Sequence, residues 1–245
     1  NDKKGCVKMK YEAFVELLEQ DINNGRYDQD GKLPSEDVLI ESYQVTRYTL
    51  RKAIAFLVER GQLYQVQGSG IYLRRRAKKG YFNLDDTQGI TSESRGINQN
   101  VETKVVSLEE IQFKDAAFVP EGLSLSPETI LYFVKRLRLL DGKPFVVEHS
   151  YYIKSLVPYL NHEIVEQSIF RYLKEVVKLK FGFADKIIRT EKLTQEVATL
   201  LELKKDDPTL VIIDEAYLSN GALFNYSKLY YHYENSEFFM HATMK

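Results

Sequence analysis

A chain of 245 residues is longer than one ordinary core needs, so two domains are expected. With 44% hydrophobic and 28% charged residues it has the composition of a soluble globular protein, which excludes a collagenous or largely disordered chain. The net charge of −1 conceals an asymmetry: residues 1–80 carry 15 Lys and Arg against 11 Asp and Glu, and the rest carry 19 against 24. Between Arg47 and Lys79 nine basic residues face a single acid, Glu59. That concentration points to a polyanion-binding segment joined to a mildly acidic domain, with a solvated basic face as the alternative.

In chain order, Tyr11, Phe14, Val15, Leu18 and Ile22 recur at helical spacing until Asn24-Gly25 stops the run. Ser35 is a good N-cap for a helix from Glu36 to about Tyr43, with two acids in its first turn. Thr46 can cap a third helix with Leu50, Ile54, Leu57 and Val58 facing inward and Gly61 ending it. Two short strands, Leu63 to Gln67 and Ile71 to Leu73, meet at Gly68-Ser69-Gly70 as a tight hairpin. Three helices and a small wing describe a winged helix-turn-helix. Arg47, Arg51 and Lys52 crowd the start of the third helix, where the dipole repels cations. Such a start makes sense facing phosphates and base edges in a major groove, although a solvent-exposed basic helix start is the plainer reading. The run Arg74-Arg75-Arg76 adds non-specific attraction to phosphates, or is simply a solvated linker.

Residues 80–100 show no sustained period and read as linker and entry loop. Beyond them the pattern is mixed. Val101 to Phe113, Thr129 to Leu139, Phe145 to Ile153, Phe181 to Glu191, Leu210 to Leu218 and Leu223 to Tyr233 read as strands. Ser155 to Leu160, Glu163 to Val177 (recapped at Ser168) and Thr194 to Leu203 read as helices. Hairpins at Asp141-Gly142 and Asn220-Gly221 make this an antiparallel α+β domain rather than a βαβ fold. The expected boundaries are 9–76 for the DNA-binding domain, 77–97 for the linker and 98–245 for the second domain.

Leu33-Pro34-Ser35-Glu36, the run Tyr43 to Arg51, Gly61 and Gln67-Gly68-Ser69-Gly70 resemble the DNA-binding domain of the GntR family. Lys135-Arg136-Leu137-Arg138, Asp141-Gly142-Lys143-Pro144, Glu148 to Tyr152, Ser168 to Leu173 and Phe224-Asn225-Tyr226 resemble the UTRA effector domain of its HutC subfamily. A weaker likeness is to regulators of phosphorylated-sugar operons of the trehalose and β-glucoside types. The resemblance implies a dimeric bacterial repressor that binds double-stranded operator DNA and responds to a small metabolite, a sugar phosphate. It implies a chorismate lyase-like α+β second domain. It places DNA contacts at Ser35, Thr46, Arg47, Thr49, Arg51, Gln67, Gly68 and Gly70, and effector contacts at Arg136, Arg138, Glu148, Ser168, Phe170, Asn225 and Tyr231. Thr46 stands where serine is usual, Asp37 where a basic residue is common, Phe170 where tyrosine is usual and Asn225 where glutamate is common.

Arg136 and Arg138, two apart on a strand, share a face and can clamp a phosphate or carboxylate, or can be surface cations paired with acids. Ser168 opens a helix and is either a phosphate seat or an ordinary cap. A two-residue turn at Asp141-Gly142 would put Glu148 on the face opposite Arg136, so a three-residue turn with a bulge at Gly142 is expected, pairing Glu148 with Val134.

No enzyme, cofactor or metal is expected. The four histidines have no metal-ligand spacing, and Cys6 alone makes neither a disulfide nor a thiolate zinc site. No P-loop or nucleophile elbow occurs. A lyase, a family member with an all-helical metal-binding effector domain, and a regulator answering an amino-sugar or non-sugar ligand are the rivals. No apolar run approaches the roughly 18 residues of a membrane span. Asn1 to Lys10 lacks the apolar core of a signal peptide, and Met9 can be the natural start, so no membrane association and a cytoplasmic location are expected.

Overall fold

In the N-terminal segment two side-chain caps set the local structure. In a computed structural model that describes residues 11–27, 29–74, 82–83 and 100–239, Ser35 Oγ accepts from the amide of Val38 and starts α2 (Glu36–Tyr43). Gln44 then stops that helix in the left-handed region at φ 53°. Thr46 Oγ1 accepts from the amide of Thr49 and starts α3 (Arg47–Glu59). With α1 (Tyr11–Asn23), these helices close over Phe14, Leu18, Leu39, Leu50, Ile54 and Leu57, all essentially without solvent contact. At about 1.5–3 kcal/mol for each fully buried side chain, this cluster is what holds three short helices together. Strands β1 (Leu63–Val66) and β2 (Gly70–Leu73) pair antiparallel as the expected wing. The wing is tied to the loop before α2, where the amide of Leu33 donates to the carbonyl of Ile71 at 2.8 Å.

Two compact units result, one within residues 1–79 and one within 80–238. The expected linker, 77–97, lies outside the described residues apart from β3 (Phe82–Asn83), which pairs with β10 (Phe238–Phe239). Arg75 and Arg76 also lie outside them.

The second unit is a six-stranded antiparallel sheet. Its strands are β4 (Val101–Gln112), β5 (Ile130–Leu140), β6 (Lys143–Ile153), β7 (Phe181–Lys192), β8 (Pro208–Leu218) and β9 (Leu223–His232). Their order is β4-β5-β6-β9-β8-β7, which places the two hairpins β5–β6 and β8–β9 side by side at the centre. Helices α4 (His162–Glu166) and α5 (Ile169–Glu175) cover one face, packing on Val134 and Tyr152. Helix α6 (Gln195–Leu200) covers the other, against Val147, Val211 and Ile213. The expected α+β class and antiparallel topology hold.

Two expectations do not. Ser155 to Leu160 forms turns, not a helix. Pro158 offers no amide and disfavours helical backbone at Val157, so the segment closes only single turns onto the carbonyl of Ile153. The hairpin at Asp141-Gly142 is a true two-residue turn, with Leu140 opposite Lys143 and both turn residues at positive φ, 50° and 79°. That is the type I′ geometry that matches strand twist. The extra residue enters further on: the ladder shifts between Arg138 and Leu139, pairing Arg138 with Val146 and leaving Phe145 as the bulge. Glu148 therefore sits opposite Arg136 rather than Val134, and both reach the same face.

A Cβ added at Gly142 would meet nothing within 4 Å, so backbone strain is the whole cost of Gly142→Ala. We expect a loss of about 1 kcal/mol, seen in thermal unfolding as a drop of about 2–4 °C in midpoint.

Candidate functional site

The start of α3 carries the features a duplex reader needs. Thr46 and Thr49 join through their hydroxyls at 2.8 Å, and Arg47, Tyr48, Arg51 and Lys52 project into solvent. Tyr48 is 76% exposed, a large aromatic surface that packing within this unit leaves open. The two arginines are held by acids of α2. Arg51 straddles Glu36 with its Nε and Nη2 at 3.0–3.1 Å, and Arg47 reaches Asp37 at 2.5 Å and Glu36 at 3.2 Å. Asp37 thus acts as the partner of Arg47.

On the wing, Gln67 and Gly68 are exposed at the tip, and Gly70 sits at φ 138°, where a Cβ would lie 2.8 Å from Lys32 Cε. Tyr64 and Tyr72 stack at 5.4 Å across the hairpin, with Lys32 Nζ over Tyr72. Ser35 is occupied as the cap of α2 and remains exposed. Sequence reasoning missed Tyr48, Tyr64 and Lys32. An aromatic beside two arginines at a helix start was the available signal.

In the sheet unit a buried polar cluster lies on the face covered by α4 and α5. Arg136 donates through Nε and Nη2 to Glu148, at 2.7–3.2 Å, and through Nη1 to the carbonyls of Val165 and Gln167. All three guanidinium nitrogens are therefore bonded within the protein. Arg138, 4% exposed, lies 3.5 Å from the same carboxylate, with the Tyr231 phenol close by. Burial opposes the Glu148 charge, but the two guanidiniums and the Ser150 hydroxyl outweigh it and hold the carboxyl at about 2. Burial, then the neighbouring Arg136, brings Arg138 down to about 10.

A hydrogen-bonded chain leads away from Glu148. Ser150 donates to Glu148 at 2.7 Å, Ser227 donates to Ser150 at 2.8 Å, and the Asn225 amide donates to Ser227 and to the carbonyl of Tyr151. Five of the seven expected effector contacts, Arg136, Arg138, Glu148, Asn225 and Tyr231, share this face. Ser168 follows Gln167, the residue Arg136 holds, and caps α5 through the amide of Arg171. Phe170 packs against Phe181 and Phe224 and is the most apolar of the set. Ser150, Ser227, Tyr152 and Asp214 were missed. Their signal was a polar group at an inward position of a strand otherwise apolar there.

Residues 10–73 match the gntR family of bacterial regulatory proteins, and residues 97–236 match the UTRA domain. The chain is a GntR-family transcriptional regulator with a UTRA domain. It is 36% identical to the uncharacterized regulator YydK of Bacillus subtilis over 96% of this chain and 98% of that protein. The crystal structure of YydK superposes with a TM-score of 0.78, covering 96% of this chain and 100% of that one. The mannosyl-D-glycerate transport/metabolism system repressor MngR of Escherichia coli is 28% identical over 97% of this chain and 98% of its own. The effector-binding domain of the Bacillus subtilis trehalose repressor aligns with 25% identity and a TM-score of 0.53, covering 59% of this chain and 99% of that domain. Regulators of this family bind operator DNA and small-molecule effectors. Among the described residues no helix is long and apolar enough to cross a membrane.

Removing the charge of Glu148 leaves two buried guanidiniums uncompensated, so Glu148→Gln is expected to destabilise the protein by about 3–5 kcal/mol in urea unfolding. Because its folded pKa lies below the ordinary value, the stability Glu148 contributes is complete above about pH 4.5 and lost as pH falls towards 2. The variant should lack that portion of the acid limb.

Proposed function

We propose that this regulator is a homodimeric repressor of a carbohydrate-uptake or catabolism operon, relieved when a phosphorylated sugar binds its UTRA domain. The observation that carries the reading is the pairing, in one chain, of an exposed cationic helix start with a buried cluster holding two guanidiniums, a carboxylate, hydroxyls and an amide. Such a set suits a ligand with an anionic end and a hydroxyl-rich body. The relatives named as repressors of trehalose and mannosyl-D-glycerate systems support the same class of regulated operon.

The phosphate takes its charge-assisted bonds beside Arg138 and the Ser168 junction, with Arg136 keeping Glu148 and the end of α4 in place. Glu148, Asn225 and Tyr231 meet hydroxyls, and Phe170 supplies an apolar wall. On DNA, Thr46 and Thr49 bond phosphates, Arg47 and Arg51 reach base edges, and Ser35 and the wing residues Gln67, Gly68 and Gly70 follow the backbone. Ligand lowers operator affinity by binding the DNA-incompetent arrangement better than the competent one. Two recognition helices must be held at half-site spacing. The edge strand β7, with Phe183, Ile187 and Ile188 exposed, is the surface we assign to dimerisation.

Replacing Arg47 or Arg51 with Ala is expected to cost about 1–3 kcal/mol on the operator and to flatten base preference at one position. If both variants discriminate operator from random DNA as the parent does, the docking assignment is wrong. In sedimentation the full chain should run as a dimer, and lysine at both Ile187 and Ile188 should yield a monomer.

The effector reading is tested by operator binding with a sugar phosphate, the same sugar without phosphate, and free phosphate. Only the first should release the parent, and Arg138→Ala should need at least about tenfold more of it. Equal release by the unphosphorylated sugar would remove the phosphate from the proposal.

A further inference from the structure

Beyond the family's expected contacts, the face that carries Arg136 and Glu148 holds a second carboxylate. Ser150, Ser227, Asp214 and Lys186 form one row across β6, β9, β8 and β7, each paired directly with the next. Their side chains share a face of the sheet. Asp214 Oδ1 is sealed from solvent and meets no hydrogen-bond partner. The fully buried Tyr152 hydroxyl, one register row away, stands beside Ser150. A sealed carboxylate oxygen without a donor bears its desolvation with nothing in return. On the face that already carries the Asn225–Ser227–Ser150–Glu148 chain, it marks a group kept for something that binds there.

We propose that Asp214 is an effector-binding residue whose carboxylate receives hydroxyls of a sugar ring. This rests on the sugar reading above and deepens it. A carboxylate is an acceptor only, so its ligand must bring donors. Ring hydroxyls supply them, and Lys186, opposite Asp214 on β7, favours the charged carboxylate that accepts them. Burial foremost, with Glu148, Glu215 and Asp185 acting in the same direction against Lys186, raises the Asp214 carboxyl to about 6. The carboxylate is therefore strained in its charged form near neutral pH. A ligand that donates to Oδ1 relieves that strain. Serine hydroxyls from Ser227 and Ser150 continue the row towards Glu148, so a ring lying along it would touch both carboxylates.

The test uses the full chain and Asp214→Asn, which keeps the shape and removes the charge, in two arms at pH 8. Without ligand, the Asn variant should melt at a higher temperature than the parent, because an unsatisfied buried charge has gone. A lower midpoint would make Asp214 an ordinary structural partner and overturn the proposal. With ligand, glucose 6-phosphate and trehalose 6-phosphate are compared by thermal shift and operator release. The variant should bind operator within twofold of the parent when no sugar is present, and need at least about tenfold more of whichever neutral sugar phosphate releases the parent. A normal response from the variant overturns it. If no sugar phosphate moves the parent, the effector reading above fails, and the ligand-free comparison alone decides whether Asp214 is held for a ligand.

Discussion

Arg136 and Glu148 are buried together on adjacent strands, and the architecture of the effector unit depends on that pair. A guanidinium removed from water is tolerable only when its donors are all met, and here the fork of Arg136 is shared between one carboxylate and two backbone carbonyls. Those carbonyls, of Val165 and Gln167, lie at the end of α4 and in the joint before α5. The ion pair thereby fixes where two short helices sit on the sheet, although neither is long enough to be stable alone. Ser168 and Phe170 occupy their places because Arg136 holds the residue before them. The one-residue bulge at Phe145 is the precondition: without it Glu148 would point to the opposite face and the guanidinium would be buried unpaired.

Much of this was legible in the sequence. Caps at Ser35, Thr46 and Ser168 each make the predicted bond to a backbone amide, because capping depends on three or four consecutive residues. Strand positions were legible from apolar runs ended by Asp-Gly and Asn-Gly. Register was not. A bulge three residues beyond a turn leaves no local mark, and the face of Glu148 was recovered for a reason that placed the extra residue in the turn instead. The Ser155–Leu160 error came from apolar spacing outweighing Pro158, whose missing amide decides the matter. Asp214 went unseen because its meaning is tertiary: an acid on a strand is ordinary until its neighbours across two ladders are known.

The two units handle polar groups in opposite ways. In the N-terminal unit the residues expected to meet a ligand are exposed, and the core beneath them is apolar apart from the Asp21, Tyr27 and Tyr43 network. In the sheet unit Arg136, Arg138, Glu148, Asn225 and Tyr231 are buried, and Ser168 and Phe170 are half-buried at the start of α5. A duplex is a large, stiff polyanion that must be approached from outside, whereas a small ligand gains selectivity from donors and acceptors held in a dry enclosure.

The carboxylates that hold Arg47 and Arg51 bear on how the protein competes with ions. An arginine that neutralises a phosphate normally drives association by setting free the cations condensed on DNA, and that gain is what added salt erodes. In the docking proposed above, Glu36 and Asp37 would have to surrender their partners or share them as the helix enters the groove. Their own negative charge then faces the duplex and retains part of its cation atmosphere. Fewer ions are released than the number of basic side chains at the surface indicates, so affinity is less sensitive to ionic strength than a bare cationic helix would make it. The same acids penalise docking on sequences where the arginines find no base to grip, so the pairs trade indiscriminate attraction for discrimination.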